Sequence, residues 1–209
     1  MTKSTQTTSG DPSKVKCHTP ETSASDHNRA DVTRFNWSAW RPEIRSTLVF
    51  VVRDDQILLI HKKTGLGQGK INGPGGKLEA GEDWLDCARR EVSEELRIEV
   101  GKLRWAAELK FLMSDYGDIL CQAFIADAYS GEPVETREAA PFWSAISEIP
   151  WAQMWADDQY WLPRALLGER VLGLFSFQGE EMRSLAVHRH TIDSPQAQPL
   201  IDRAHELGS

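Results

Sequence analysis

The chain has 209 residues, which suits one domain with tails or one domain and a fragment, and 40% of its residues are hydrophobic, enough for a packed core. Its longest apolar runs, such as Thr47–Val52, are far too short to span a bilayer, so we expect no membrane partner. The net charge of −7, from 24 basic and 31 acidic residues, argues against nonspecific binding to a nucleic acid polymer.

The ends of the chain are polar. Residues 1–38 are rich in Ser and Thr and lack periodicity, so we predict a disordered tail, followed by one domain over residues 39–190 and a polar C-terminal tail over residues 191–209. The N-terminus has no apolar signal segment, and the three cysteines are widely spaced with no CxxC pair. These features predict reduced thiols and a cytoplasmic location, and we expect a monomer.

Within the domain, β-branched and aliphatic segments alternate with turn residues and two helical segments. A glycine-rich loop over residues 62–77 separates the first hairpin from the first helix. The strands and helices interleave irregularly, which predicts an α+β fold with a mixed sheet and no repeated βαβ array. The predicted strands are 46–52, 56–61, 103–113, 119–126, 140–144, 171–177 and 181–187, and the predicted helices are 83–97 and 157–167.

Three carboxylates mark one face of the first predicted helix. Glu91, Glu94 and Glu95 stand at positions i, i+3 and i+4, which places them on the same side of a helix. Neighbouring anions repel each other unless a cation neutralises them, and Mg²⁺ prefers carboxylate oxygens together with substrate phosphates. The alternative to a metal site is a solvent-exposed acidic helix face that binds no ligand.

The residues around this helix form a spaced motif. Gly76 precedes Glu82 by six positions, and the run from Arg90 to Ile98 reads REVSEELRI. This resembles the box of the Nudix family, Gly-x5-Glu-x7-Arg-Glu-U-x-Glu-Glu-x-Gly-U with U aliphatic. One fixed position differs, because Arg97 stands where the family has glycine. Glycine there supplies a left-handed helix cap, so we expect local strain or a different cap at Arg97.

The resemblance implies the Nudix fold, a mixed β-sheet sandwiched between α-helices, and hydrolysis of a nucleoside diphosphate linked to another group. It also implies Mg²⁺, with Mn²⁺ as a possible substitute. A catalytic carboxylate, Glu94, Glu95 or a later one, would take a proton from water, and Arg90 would orient it. Glu82 would hold the loop onto the helix. The metal ligands implied are Gly75 through its carbonyl, Glu91, Glu94, Glu95 and Glu138.

Three further segments resemble the members of the family that hydrolyse oxidised purine nucleoside triphosphates: NGPGGK at 72–77, WADDQYWLP at 155–163 and FSFQG at 175–179. By that resemblance Asn72, Asp157 and Asp158 read the base edge, and Trp155 packs on the base face. The residue types suit this role, because two adjacent buried carboxylates cannot easily both ionise and one can then donate a proton. The alternative is a purely structural role for each residue: a turn residue at Asn72, a core residue at Trp155 and a helix N-cap at Asp157.

Other positions match the family's pocket more loosely, and three depart from it. Leu66 and Met113 replace aromatic residues, and Pro74 replaces one inside the glycine turn, which predicts a looser base sandwich. The further substrate-binding residues implied are Thr47, Lys62, Pro74, Gly75, Gly76, Lys77, Phe111 and Ala156.

The function implied is cleavage of oxidised purine nucleoside triphosphates, such as 8-oxo-dGTP and 2-hydroxy-dATP, to the monophosphate and pyrophosphate, which would clean the nucleotide pool before DNA synthesis. Two alternatives stay open. One is a Nudix hydrolase of ADP-ribose or a dinucleoside polyphosphate, and the other is a ligand sensor without catalysis. The complete set of Arg90, Glu91, Glu94 and Glu95 argues against the sensor.

Overall fold

The computed structural model describes residues 29 and 31–191. The rest of the two predicted tails, residues 1–28, 30 and 192–209, lies outside the described residues, as does Cys17. Over the part of the chain that is described, no helix is both long and apolar enough to cross a membrane.

The described chain contains ten strands, two α-helices and two short 3₁₀ turns. The strands are β1 (Ile44–Arg53), β2 (Gln56–Lys62), β3 (Ile71–Asn72), β4 (Glu99–Val100), β5 (Leu103–Met113), β6 (Ile119–Ala126), β7 (Tyr129–Ser130), β8 (Ala139–Ala145), β9 (Val171–Gln178) and β10 (Glu181–Arg189). The helices are α1 (Trp84–Leu96) and α2 (Asp158–Leu166), and the 3₁₀ turns are Ile146–Glu148 and Trp151–Gln153.

Eight of these strands form one mixed sheet in the order β10-β9-β5-β6-β1-β2-β3, with β8 also paired to β2. The β1–β6 and β5–β9 pairs are parallel, and the other pairs in this sheet are antiparallel. Strands β4 and β7 form a separate two-stranded sheet. The parallel pairs bring strands that are distant in sequence together at the centre of the domain.

Alternate residues of the central strands face two different cores, as a pleated sheet requires. Val49 and Val51 of β1 pack in the cluster that contains the buried side of α1. Phe50, between them, packs in the cluster that contains Trp161 and Leu162 of α2. The helices therefore cover opposite faces, which confirms the predicted mixed sheet between α-helices.

Both ends of α1 are fixed by local contacts. At its N-terminus the Asp83 side chain accepts hydrogen bonds from the backbone N–H groups of Leu85 and Asp86, both 2.9 Å. At its C-terminus Arg97 adopts the left-handed conformation with φ 60°, and its N–H donates to the Ser93 carbonyl at 3.0 Å. The cap that the family builds with glycine is thus kept here with an arginine, and the predicted strain is located at this residue.

The predicted strands and helices are all present, and a few boundaries differ. The loop predicted over residues 62–77 contains the short strand β3, which pairs with Ile60 and His61 of β2. Two paired residues inside a glycine-rich segment have too little periodicity to be recognised in the sequence. The last strand continues to Arg189, so the C-terminal end of the domain is ordered slightly further than the predicted strand.

The N-terminal boundary of the packed chain also differs from the prediction. Val32 is buried, and its N–H donates to Ser184 Oγ at 2.9 Å. The indole N–H of Trp37 donates to the Val32 carbonyl at 2.8 Å, and that of Trp40 donates to Asp118 Oδ2 at 2.8 Å. The predicted tail boundary at residue 38 is therefore too late, because the aromatic residues in this segment supply enough apolar surface for packing.

Candidate active site

A cavity of about 340 Å³ opens between the glycine-rich loop, α1, the C-terminal half of β5 and the segment before α2. Most of the site residues predicted from the sequence line it, so the fold brings the acidic helix and the aspartate pair to one place. The predicted residues in its lining are Thr47, Lys62, Asn72, Gly75, Gly76, Lys77, Glu91, Glu95, Phe111, Glu138, Trp155, Asp157 and Asp158.

The glycine turn is pressed against β1 and α1. A Cβ atom at Gly75 would lie 2.1 Å from the Thr47 carbonyl oxygen, and one at Gly76 would lie 2.3 Å from Glu91 Oε1. Any side chain at either position would overlap these atoms, so both positions require glycine. Pro74 is buried beside β1, where its carbonyl accepts from Val49 N–H at 2.9 Å, and it does not belong to the cavity lining.

Glu95 lies at the end of the cavity next to this turn and is only 1% exposed. Its carboxylate accepts a hydrogen bond from Lys62 Nζ at 2.9 Å and one from Gly75 N–H at 3.1 Å. Lys62 Nζ also lies 3.5 Å from the Gly75 carbonyl oxygen. One ammonium thus contacts two of the predicted metal ligands, and it gives the buried Glu95 carboxylate an ion-pair partner.

Arg90 holds the other carboxylates of the helix. It donates to Glu82 at 2.8 and 2.9 Å, to Glu91 at 2.8 Å and to Glu94 at 3.1 Å. Hydrogen bonding to Arg90 lowers the pKa of Glu82 to about 2, which fits its predicted role in holding the loop onto the helix. Burial raises the pKa of Glu91, and the nearby charges of Glu95 and Glu94 raise it further.

These groups fit a hard cation in chemistry. Glu91, Glu95 and Gly75 all line the cavity, and Mg²⁺ is commonly held by one or two carboxylates plus substrate phosphates. Among the described residues, no three His, Cys, Asp or Glu side chains converge in the arrangement of a metal site. Glu94 points instead toward Arg90 with its side chain 57% exposed, and Glu138 is an exposed residue at the edge of the cavity.

The opposite end of the cavity holds the aspartate pair at the start of α2. Asp157 and Asp158 are both buried. Asp157 occupies the N-cap position of α2, as the alternative role predicted, but its side chain makes no capping hydrogen bond and accepts instead from the indole N–H of Trp161 at 3.2 Å. Oδ2 of Asp158 is buried and, within the described chain, has no hydrogen-bond partner.

Burial sets the protonation of this pair. It raises the pKa of Asp157 to about 7 and raises the pKa of Asp158 well above its ordinary value, with the Asp157 charge as a further cause. At neutral pH the pair therefore retains a proton, so it offers both a donor and an acceptor to a ligand in the cavity.

Aromatic and aliphatic side chains form the walls at this end. The Trp155 indole meets the Phe177 ring edge-on, with centroids 5.5 Å apart. Phe111, which also lines the cavity, stacks on the buried Phe175 with ring centroids 5.3 Å apart. Leu66 and Met113, which depart from the family pattern, also line the cavity. Flat apolar walls with a few polar groups at one end suit a planar heterocycle.

Asn72 serves two purposes. Its side-chain oxygen accepts a hydrogen bond from the Gly73 N–H at 2.8 Å, which is the structural role predicted for a turn residue. The residue also lines the cavity. Trp155 is half-buried and packs against the core cluster while it faces the cavity. Ala156 packs against the same cluster and is absent from the lining.

Sequence reasoning missed several lining residues that carry no charge. Phe177 belongs to a segment that had been recognised, and period-two alternation along β9 would have placed it on the same face as Phe175. The lining residues of β1 and β6 follow from the parallel pairing of these two strands, which no local pattern reveals, and the remaining three belong to the glycine-rich loop. The missed lining residues are Ile44, Ser46, Leu48, Thr64, Gly65, Gly73, Ile119, Cys121 and Phe177.

Comparison with known proteins agrees with this geometry. The NUDIX domain model matches residues 42–165. Over 137 residues the chain is 44% identical to the oxidized purine nucleoside triphosphate hydrolase of Danio rerio, covering 65% of this chain and 88% of that protein. The protein of the same name from Mus musculus is 37% identical over 136 residues, covering 65% and 87%. A crystal structure of the mutator MutT protein from Bacillus halodurans superposes with a TM-score of 0.61 at 28% identity, covering 69% of this chain and 97% of that one.

Proposed function

The chain belongs to the Nudix family of hydrolases, and from this we propose that it cleaves oxidised purine nucleoside triphosphates to the monophosphate and pyrophosphate with Mg²⁺. Nudix hydrolases act on nucleotides and use divalent metal ions, so the substrate class and the kind of cofactor follow from the family. The choice of oxidised purines and of Mg²⁺ is our proposal. Both relatives described above carry the name oxidized purine nucleoside triphosphate hydrolase, which supports it.

One observation carries the base assignment. Asp158 has a buried carboxylate oxygen without a hydrogen-bond partner in the described chain, at the end of a cavity that Asn72 and Trp155 also line. A buried polar atom without a partner costs about 1–3 kcal/mol unless a ligand supplies one. A purine edge can do so, and a protonated and an ionised aspartate together match the changed donor and acceptor pattern of an oxidised purine.

The triphosphate would lie at the other end of the cavity. Glu91, Glu95 and the Gly75 carbonyl would hold Mg²⁺ there, with Glu94 and Glu138 as candidates to complete the set. When bound, the metal would neutralise phosphate charge and polarise the phosphorus–oxygen bonds. Positioning and charge neutralisation supply most of the catalysis in phosphoryl chemistry of this kind.

The protein's own groups orient the reacting parts. Lys62 and Arg90 bring positive charge to the two ends of the row formed by Glu91, Glu94 and Glu95, so part of its negative charge is offset. A carboxylate of this row, or Glu138, would accept the proton of the attacking water. Glu82 would hold Arg90 in place, because two of the hydrogen bonds that Arg90 donates end on it.

Phosphate-release assays test this proposal: added pyrophosphatase reports cleavage of the triphosphates, and added alkaline phosphatase reports cleavage of ADP-ribose and Ap4A, whose products contain no pyrophosphate. We expect 8-oxo-dGTP and 2-hydroxy-dATP to be cleaved well above dGTP, ADP-ribose and Ap4A in the presence of Mg²⁺. Asp158→Ala should reduce the preference for oxidised over ordinary purines by about tenfold or more. The reason is that a lost polar contact costs roughly 1.4 kcal/mol, which corresponds to a factor of about ten. Asp127→Ala, which removes an exposed aspartate, serves as the matched control.

Two results would contradict the proposal. Preferential cleavage of ADP-ribose or Ap4A would move the enzyme to another Nudix substrate class. An unchanged preference in Asp158→Ala would show that this aspartate does not read the base. The monomeric state and the cytoplasmic location stay predictions from the sequence.

A further inference from the structure

Lys70 lies outside the cavity lining and outside the motif residues, yet it contacts a wall of the site. Its ammonium lies over the Trp155 indole, 4.9 Å from the ring centroid. The same ammonium is 2.9 Å from Glu180 Oε2, in the turn between β9 and β10. Lys70 therefore joins three segments that surround one end of the cavity: the glycine-rich loop, the segment before α2 and the last hairpin.

The Trp155 indole is held from three directions. Gly67 lies so close that a Cβ atom there would be 2.8 Å from the indole nitrogen, and its φ of +80° also favours glycine. Phe177 presses against the indole at an interplanar angle of 90°. Lys70 covers the ring from above. Of these three contacts, only the one from Lys70 is electrostatic and can be removed without changing the backbone or the apolar wall.

The charge of Lys70 is suited to this contact. A cation within about 6 Å of an indole face is attracted to the electron-rich ring, and the attraction strengthens when the pair is shielded from water. The Lys70 side chain is 21% exposed and that of Glu180 is 65% exposed. The ion pair alone therefore adds little to stability, but it keeps the ammonium over the ring.

We propose that Lys70 is a positioning residue that fixes the Trp155 indole for stacking on the substrate base, and that Glu180 holds Lys70 in this position. This inference rests on the proposed function, because it assumes a purine base against Trp155. Lys62, at the end of β2, has a different task, since its ammonium pairs with Glu95 at the end of the cavity that holds the predicted metal ligands.

Steady-state kinetics on 8-oxo-dGTP and 2-hydroxy-dATP test the proposal. Lys70→Met should raise KM about 3- to 10-fold and leave kcat unchanged, and Lys70→Arg should restore the wild-type KM because arginine keeps the cation over the ring. Glu180→Gln should raise KM in the same direction by a smaller factor. Two controls remove similar ion pairs that do not reach Trp155: Glu181→Gln, whose partner is Arg183, and Lys63→Met, whose partner is Glu135.

A double variant separates positioning from direct attraction of the triphosphate. In a Trp155→Leu background, Lys70→Met should change KM by less than about twofold, since the indole that it positions is gone. A rise in KM that persists in this background would mean that Lys70 acts on the phosphates, and it would overturn the inference. Melting temperatures within about 2 °C of wild type would show that the variants are folded.

The possible failures are distinguishable. If the wild-type enzyme cleaves oxidised purine triphosphates but Lys70→Met has the wild-type KM, the inference is wrong and the proposed function stands. A lower kcat at unchanged KM would also overturn it, because positioning a base for binding predicts the opposite split. If the wild-type enzyme cleaves neither oxidised nucleotide, the proposed function fails and this inference fails with it.

Discussion

The ammonium of Lys62 lies 2.9 Å from the carboxylate of Glu95, a residue 33 positions later on the helix of the motif. The Lys62 side chain is 17% exposed and that of Glu95 is 1% exposed. This ion pair ties the end of β2 to the buried side of α1, next to the glycine turn. Glu95 therefore serves both the fold and the candidate metal site, and its replacement should affect stability and activity by different mechanisms.

Glu95→Gln should lower kcat by about 10²- to 10³-fold, the typical loss when one group that stabilises charge in the transition state is removed. Glutamine keeps the side-chain shape, so we expect the fold to persist, with a loss of about 1–3 kcal/mol because Lys62 loses its charged acceptor. Steady-state rates with 8-oxo-dGTP and denaturant unfolding measure the two effects.

Glu99→Gln is the matched control for this variant, because Glu99 is exposed just beyond the same helix and should change neither quantity. Wild-type turnover in Glu95→Gln would remove Glu95 from the metal and base site. A loss of turnover that merely follows a loss of folded protein would leave its catalytic role unsupported.

Divalent metal should stabilise the folded enzyme through Glu91. At a free Mg²⁺ concentration of ten times Kd, binding to the native state adds about 1.4 kcal/mol. For a chain of this size that corresponds to a rise of about 3–5 °C in Tm. Thermal melts with and without Mg²⁺ should show this rise in the wild type and lose most of it in Glu91→Gln.

Glu79→Gln provides the control for the metal effect, since Glu79 is an exposed residue of the loop before the helix. It should keep the full rise in Tm. An equal rise in Glu91→Gln and the wild type would exclude Glu91 as a ligand. These melts need no turnover, so they test the metal site independently of substrate choice.

The part of the site that lies on one continuous motif could be predicted from the sequence. The spacing of Glu91, Glu94 and Glu95 fixed their common helix face, but it could not show that Glu94 turns to Arg90 while Glu95 is buried against Lys62. Such choices depend on side-chain partners that the fold brings in from other elements. The motif therefore predicts the chemistry better than it predicts which carboxylates share one wall.

Residues placed by long-range pairing were harder to predict. Ile119 and Cys121 line the cavity because β6 runs parallel to β1 at the centre of the sheet, and parallel pairing leaves no local signal. The N-terminal segment was missed for a different reason. Its polar composition predicted disorder, whereas Trp37 and Trp40 pack with the domain. The indole N–H of Trp40 donates to Asp118 of the domain, and that of Trp37 donates to the Val32 carbonyl within the segment.

The aspartate pair should make stability depend on pH. Burial raises the pKa of Asp157 from 3.8 to about 7, so the folded state holds a proton that the unfolded chain has already released. Stability from this group is fully present below pH 3.8 and is lost as the pH rises through about 7. Asp157→Asn removes the titration. When the pH is raised from about 5 to about 8, the free energy of unfolding of the variant should therefore rise by about 1–4 kcal/mol relative to that of the wild type.

Denaturant unfolding at these two pH values measures that gain, and Asp127→Asn, at an exposed position, corrects for the loss of one carboxylate. If the difference between Asp157→Asn and the wild type is the same at both pH values, Asp157 does not hold a proton in the folded state. A change of opposite sign would mean that a neighbouring cation keeps the carboxylate ionised.

Arg97→Gly should stabilise the domain, because Arg97 carries a side chain at φ 60° in the left-handed cap of α1. A residue other than glycine in this conformation costs about 1–2 kcal/mol. Glycine would relieve that strain, but it would lose the favourable charge of Arg97 at the helix C-terminus, worth about 0.3–1 kcal/mol. We expect a net gain of about 0.5–1 kcal/mol and a rise of about 1–3 °C in Tm. Arg97→Ala separates the two effects, since it loses the charge and keeps the Cβ atom, so it should be less stable than the wild type. A melting temperature of Arg97→Gly at or below that of Arg97→Ala would show that the cap is not strained. Since Arg97 is exposed at the end of α1 farthest from Glu82 and Arg90, kcat should stay at the wild-type value in both variants.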